Sequence, residues 1–244
     1  KERWQISSDP AIKPGLDAMK EALALVGNPQ NSIPVIHLAG TNGKGSTVTF
    51  IEHIARSHGL KTATFMSPCI EDVHDQIQLN EMPITTNEMD AIFEIMSEAG
   101  LSGRLTDFEL LTVAAYLAFS RFKPDIAIIE CGMGGRYDST NVMIPIVSVV
   151  PSISLEHTRF LGDTLAKIAY HKSGIIKKER PIITGELPPE AMTVFIDEAK
   201  KQNASLYVYD KDFSIEVTED DERYYKPNYE ISHLKRIMPG IIRP

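Results

Sequence analysis

The sequence predicts an α/β fold: a doubly wound, mainly parallel sheet that ends in a small C-terminal β hairpin. Three observations predict it. The apolar run Val35-Ile36-His37-Leu38-Ala39 leads into the turn Gly40-Thr41-Asn42-Gly43-Lys44-Gly45-Ser46, after which Val48, Ile51, Ile54 and Ala55 recur at helical spacing. Strand-like and helix-like segments then alternate along most of the chain. Asp125 to Glu130 is a continuous apolar run closed by a carboxylate, the pattern of a strand buried on both faces of a parallel sheet.

Each element has its own signal. Pro14-Gly15 reads as a turn, and Leu16, Met19, Leu23 and Val26 mark an amphipathic helix that stops at Gly27. Residues 61–66 read as a second strand, closing at Ser67-Pro68. Residues 67–85 read as one polar loop with Ile77, Leu79 and Ile84 inside it, and a loop of that length is usually functional. Thr85 and Glu88 have capping-box spacing for a helix ending before Gly100. Residues 107–122 are apolar nearly all round, as in a buried helix. Ile144 to Val150 is a further strand, and Asp163 is placed to cap a helix running to about Lys177. A strand at 181–184, a helix at about 189–202 and a strand at 205–209 follow. Beyond 211, Phe213, Ile215, Val217, Tyr224, Tyr225 and Tyr229 suggest the terminal hairpin.

The glycine-rich turn defines a P-loop-type nucleotide site. A strand–turn–helix of this kind aims bare backbone N–H groups at an anion, and three glycines let the backbone approach it closely. Lys44 adds a mobile positive charge and Ser46 a hydroxyl suited to Mg²⁺. The strict P-loop pattern fails twice, with Leu38 where its first glycine would stand and Gly45 after the lysine. The alternative is a tight connection with a chance lysine. In doubly wound sheets ligands sit beyond the carboxyl ends of the strands. The loop, Ser67, Glu130 and His157 all follow such ends, so four groups suited to phosphate and metal share one edge.

The chain has 244 residues and a formal net charge of −8. That length suits one domain with a small appendage, divided here as 1–210 and 211–244. No lysine/arginine stripe appears, which argues against general nucleic-acid binding. Cys69 and Cys131 are too few for a disulfide framework and favour a reducing compartment. No apolar run is long enough for a membrane span or a signal peptide, so the cytoplasm is the default expectation; a monomer is expected as well. Lys1 in place of Met suggests a trimmed or processed N-terminus.

Five residues stand out for chemistry, each with a structural alternative. Glu130 either caps the next turn or supplies a hard oxygen to Mg²⁺. His157 is either a satisfied structural histidine or a ligand at the sheet edge. Lys172 falls on the apolar face marked by Leu165, Ile168, Ala169, Ile175 and Ile176. A lysine there is paired, chemically altered, or snorkels outward. Arg136 and Asp138 either bind substrate or pair with each other.

These stretches together resemble the ATP-binding domain of the folylpolyglutamate synthase/dihydrofolate synthase family, relatives of the Mur ligases. The resemblance runs in order through Pro14-Gly15-Leu16, His37 to Thr47, Ser67-Pro68, Asn80 with Pro83-Ile84, and Thr106 with Phe108-Glu109. It continues through Gly132 to Asn141, His157-Thr158 with Leu161-Gly162, and Lys172 with Gly174 to Lys177. It implies an amide ligase: ATP phosphorylates a substrate carboxylate, and the amine of glutamate attacks the acyl phosphate. It implies that the Gly40–Ser46 loop holds phosphate, with Gly43, Lys44 and Gly45 foremost. Ser46, Ser67, Glu130 and His157 would contact Mg²⁺. Lys44, Glu130, His157 and Lys172 would form the catalytic set, with Lys172 carbamylated to support a second metal. Thr106, Phe108 and Asp138 match positions implicated in pterin binding, and Arg136 lies in the same loop. Small-molecule partners follow: pteroate or folate, glutamate and ATP.

The sequence departs from the family pattern at Cys69, Asp75-Gln76, Ser154, Glu156, His171 and Ser173. The resemblance also implies a second, C-terminal domain beginning near Pro244, with His233 to Pro244 as a weak match to the linker. Two other readings remain: a Mur-type ligase for another acid, and a nucleotide-binding module without turnover.

Overall fold

The computed structural model describes residues 6–9, 15–218 and 228–231. Tyr224, Tyr225 and the expected linker from His233 lie outside these residues. The strands are β1 (Val35–Leu38), β2 (Thr62–Phe65), β3 (Ile77–Leu79), β4 (Met82–Pro83), β5 (Ile126–Glu130), β6 (Val147–Val150), β7 (Ile182–Thr184) and β8 (Leu206–Val208). β9 (Ile215–Thr218) and β10 (Asn228–Ile231) pair antiparallel as a separate two-stranded sheet. The helices are α1 (Asp17–Leu25), α2 (Lys44–Ser57), α3 (Thr86–Glu98), α4 (Asp107–Phe122), α5 (Thr158–Leu161), α6 (Leu165–Ser173) and α7 (Pro189–Lys201).

The main sheet runs β4-β3-β2-β5-β1-β6-β7-β8, parallel from β2 to β8. β1 is flanked by two strands that come much later in the chain, which makes its carboxyl end a topological switch point. Residues alternate between the sheet's two faces. Ile36, Leu38, Ile126, Ile128 and Val147 pack against Val48 and Ala55 of α2. Val35, Ala63, Phe65, Ala127 and Ile129 point the other way, into the core shared with α1, α3 and α4. Val150 and Ile182 meet α6 and α7. Ile54, expected on the buried face of α2, is instead exposed.

Both expected capping boxes form, at Thr85/Glu88 and Thr106/Glu109. Residues 67–85 are more ordered than a polar loop. A 3-10 turn at Val73–Gln76 leads into a hairpin of β3 and β4 that adds antiparallel to β2. Its turn places Asn80 and Glu81 at φ 52° and 65°, the left-handed pair of a type I′ connection. Ile77 and Ile84, read as apolar residues in a loop, are its buried anchors. Asp163 does not cap α6. Its carboxylate pairs outward with Lys167 Nζ, while the Thr164 side chain accepts from the Lys167 N–H as N-cap. The helix ends at Ser173 rather than Lys177, with Gly174 as its C-cap residue packed directly against Arg136.

Candidate active site

The nucleotide loop leaves β1 and is braced on the segment that leaves β6. Thr41 N donates to the Ser152 carbonyl at 3.0 Å. Asn42 N donates to Ser152 Oγ at 2.9 Å, and that hydroxyl donates back to the Asn42 carbonyl at 2.9 Å. Thr41 Oγ1 accepts from Ser154 N at 3.0 Å. Gly43 takes φ 81°, a left-handed conformation that favours glycine, and opens the fourteen-residue α2 as its N-cap. A Cβ on Gly40 would lie 3.1 Å from the Pro151 ring. The loop is therefore held in shape from outside, and its N–H groups and the positive end of α2 face the sheet edge.

Lys44 lies along this loop. Its Nζ donates to the Thr41 carbonyl at 3.2 Å and is 3.8 Å from Glu130 Oε1. Glu130 is buried at the end of β5 and also accepts from the Ser67 backbone N–H. Burial pushes its carboxyl up, against the downward pull of Lys44 and Ser67. A carboxylate desolvated this way gains from a divalent cation, and oxygen donors of its kind are what Mg²⁺ prefers. His157 stands apart: it is exposed on the segment after β6, at φ 45°, as the N-cap residue of α5. Among the described residues no group of three or more His, Cys, Asp or Glu forms that could hold a metal ion. Glu130 and Ser67 meet; His157 is not brought into one cluster with them.

Lys172 is one per cent exposed. Its Nζ donates to the Gly40 carbonyl at 2.7 Å and pairs with Glu156. The snorkelling alternative is thereby excluded. Burial lowers the lysine's pKa, and Glu156 works against that shift. Lys172, the first residue of the nucleotide loop and the strand-end segment 151–157 thus form one assembly. Sequence reasoning missed Ser152 and Glu156, whose only signal was position after β6; Glu156 was noted merely as a departure.

The residues expected at an acceptor site divide. Phe108 stacks on Phe65 at the carboxyl end of β2, with ring centroids 5.7 Å apart. It also lies against Gly132, where a Cβ would come within 2.6 Å of its ring. Thr106 is the N-cap of α4, its side chain joined to Glu109. Arg136 and Asp138 do not pair with each other. Arg136 bonds Glu198 of α7 at 2.9 Å and its guanidinium covers the Tyr170 ring. Asp138 is buried and accepts from Met133 N, Thr140 N, Thr140 Oγ1 and Gly132 N, which uses its lone pairs inside its own turn. That arrangement makes the carboxylate a builder of the loop rather than a direct contact to a ligand.

The Mur ligase middle domain model matches residues 38–236. A dihydrofolate synthase/folylpolyglutamate synthase of Bacillus subtilis (strain 168) is 42% identical over 200 residues, 79% of this chain and 46% of that protein. A solved FPGS–AMPPCP–folate complex is 34% identical with TM-score 0.81, covering 88% of this chain and 55% of that one. E. coli FolC in complex with DHPP and ADP is 31% identical with TM-score 0.82, covering 90% and 53%. The chain spans about half the length of the curated relatives it matches. Among the described residues no helix is long and apolar enough to cross a membrane. On the matched span and the strand–loop–helix at its start, the chain belongs to the Mur ligase middle domain family.

Proposed function

We propose that this chain is the ATP-binding part of an ATP-dependent ligase that joins L-glutamate to dihydropteroate, to folates, or to both, through an acyl phosphate. The observation that carries the reading is the Lys44–Glu130 pair, 3.8 Å apart at the switch point and backed by a braced glycine loop. The loop Gly40–Ser46 holds the phosphates, and Lys44 leaves Thr41 to meet them. Ser46, Ser67 and Glu130 hold Mg²⁺, with His157 reaching it only when its segment moves inward. Bound Mg²⁺ supplies charge neutralisation at the transferring phosphoryl group. Phe108 offers a stacking face to a pterin, with Thr106 beside it; Arg136 and Asp138 shape the loop that carries Gly132.

Lys172 belongs to this site in one of two chemical states. As the unmodified side chain, its Nζ anchors Gly40 and Glu156. Carbamylation by CO₂, which needs a neutral amine, would turn it into an anion facing the metal; burial favours the neutral amine. Labelled bicarbonate giving a carbamate carbon signal that is lost in Lys172→Ala would establish the modification. The protein works as a cytoplasmic monomer.

The test has two parts. Residues 1–244 are titrated with ATP, with and without Mg²⁺, as wild type and as Glu130→Gln. Mg²⁺ should strengthen binding to the wild type and not to the variant; equal Mg²⁺ responses overturn the metal assignment. Glutamate incorporation by the product of the complete coding region is then followed with dihydropteroate and with a folate. Incorporation with neither acceptor overturns the ligase reading. Residues 1–244 alone should ligate nothing, because the acyl phosphate on an open sheet edge is left wet.

A further inference from the structure

His37 is fully buried in the middle of β1, three residues before Gly40, and no part of the proposed chemistry uses it. Its Nε2 lies 2.9 Å from Thr140 Oγ1 and 3.2 Å from Cys131 Sγ. Thr140 Oγ1 lies 2.5 Å from Asp138 Oδ1. Thr140 is further held by Tyr116, whose hydroxyl donates to its carbonyl at 2.7 Å. These contacts link β1, α4 and the loop that follows Glu130.

The protons can be assigned from the donor inventory. Asp138 receives three backbone N–H groups and acts as an acceptor, so the single Thr140 hydroxyl proton goes to it. Thr140 Oγ1 then has only lone pairs to offer His37, and the imidazole must donate from Nε2. The opposite tautomer would leave Thr140 and Asp138 without that order. It would also put an N–H on Nδ1, which has no hydrogen-bond partner among the described residues. Orphaned buried N–H groups are the rarer defect.

We propose that His37 is a positioning residue for the acceptor. As the Nε2–H tautomer it orients Thr140, Thr140 orients Asp138, and Asp138 fixes the Gly132–Met133 backbone against Phe108. The strand that delivers the phosphate loop thereby sets the floor of the acceptor loop, and one buried proton chain keeps the two in register. The inference rests on the reading of Phe108 as an acceptor contact, but the hydrogen-bond chain itself does not.

Glutamine places an amide N–H near the position of Nε2, whereas asparagine places one near Nδ1. The experiment compares wild type, His37→Gln and His37→Asn in residues 1–244. Nitrogen-15 spectra of the wild-type ring should show a proton on Nε2 and a bare Nδ1. Amide exchange at Met133 and Thr140 should stay slow in H37Q and rise about tenfold or more in H37N, as expected for loss of one buried hydrogen bond, while amides of α7 are unchanged. Dihydropteroate affinity should fall about tenfold in H37N alone, with Mg·ATP affinity held within about twofold. A proton on Nδ1, equal behaviour of the two variants, or parallel loss of ATP and acceptor binding overturns the proposal. If neither variant folds, the wild-type ring spectrum decides it. If the wild type binds no pterin while the ring and exchange results hold, the acceptor reading is what fails, and His37 keeps only the loop.

Discussion

Lys172 Nζ donates to the carbonyl oxygen of Gly40 at 2.7 Å, so a lysine of α6 holds the first residue of the nucleotide loop. Glu156 completes the clamp from the segment after β6. The buried cation is matched by one carbonyl dipole and one carboxylate, which adds a tie from α6 to two segments already braced on each other through Ser152 and Ser154. Lys172→Met keeps the volume of the stem and removes the charge. It should weaken Mg·ATP binding about tenfold and lower unfolding free energy by about 3 kcal/mol, at the low end for a broken buried pair because Glu156 can rehydrate. Calorimetric titration and urea unfolding measure the two effects, and unchanged nucleotide affinity would remove Lys172 from the loop's support.

Lys44 has a local role in folding and a distant one in function. Its bond to Thr41 lies within the loop, and its side chain, 17% exposed, ends 3.8 Å from Glu130 Oε1. Lys44→Ala should leave the fold intact, with a loss of about 1 kcal/mol from the unmatched Glu130 carboxylate. Nucleotide affinity should fall by about 100-fold, since a charge-assisted contact to phosphate is removed. A variant that binds ATP normally would take the loop out of the mechanism.

His37 makes stability depend on pH in a predictable direction. Burial, aided by Lys177, lowers its pKa from 6.5 to about 3. The unfolded chain therefore takes up a proton as pH falls through 6.5, while the folded chain resists until about 3. Stability from this group is lost progressively across that window, by at most about 1.4 kcal/mol per pH unit. Asp138 faces the same network, and burial pushes its carboxyl up, so on acidification it takes up a proton more readily folded than unfolded and acts in the opposite sense. The difference between wild type and His37→Gln isolates the histidine. Urea unfolding at pH 7 and pH 5 should show a smaller loss on acidification in the variant; equal losses would contradict the assignment.

Arg136 is a structural tie between the loop that follows Glu130 and α7. Burial pushes the Glu198 carboxyl up, but the Gln202 amide and the Arg136 guanidinium pull it further down, and the net result is a carboxyl held below its ordinary pKa of 4.5. A depressed carboxyl contributes stability above its unfolded pKa and loses it as pH falls through the folded one. Arg136→Ala should therefore cost about 2 kcal/mol at neutral pH, and the gap from wild type should narrow below pH 4.5. Thermal unfolding at pH 7 and pH 3.5 checks both parts. A gap that widens in acid would assign the arginine another partner.

Much of the site was legible because its residues follow strand ends. An apolar run that stops at Glu130 and a glycine turn after Leu38 announce themselves along the chain. The misreadings share a physical cause, competition between near-equivalent groups. Asp163 and Thr164 are adjacent candidate caps, and only the pairing of Asp163 with Lys167 decides which turns inward. Asn80-Glu81 carries a hairpin turn without the glycine that would flag it. The partners of Lys172 and His37 could not be read at all, because Glu156 and Thr140 are brought to them by tertiary packing and by no local pattern.

The sheet order also governs when the nucleotide loop can first exist. β1 has no neighbour near it in sequence: Val35 waits for Ala127 of β5 and Ile36 for Val147 of β6. During synthesis the strand that bears Gly40 emerges early, apolar on both faces, with its backbone groups unpaired. Until β6 has left the ribosome there is no central position for it to occupy. The braces on Thr41 and Asn42 come later still, from Ser152 and Ser154. Such long-range pairing is slow to form and leaves a sticky strand exposed in the meantime. A nascent chain halted before Val147 should carry β1 as chaperone-accessible, protease-sensitive backbone, and one released beyond Ser154 should protect it.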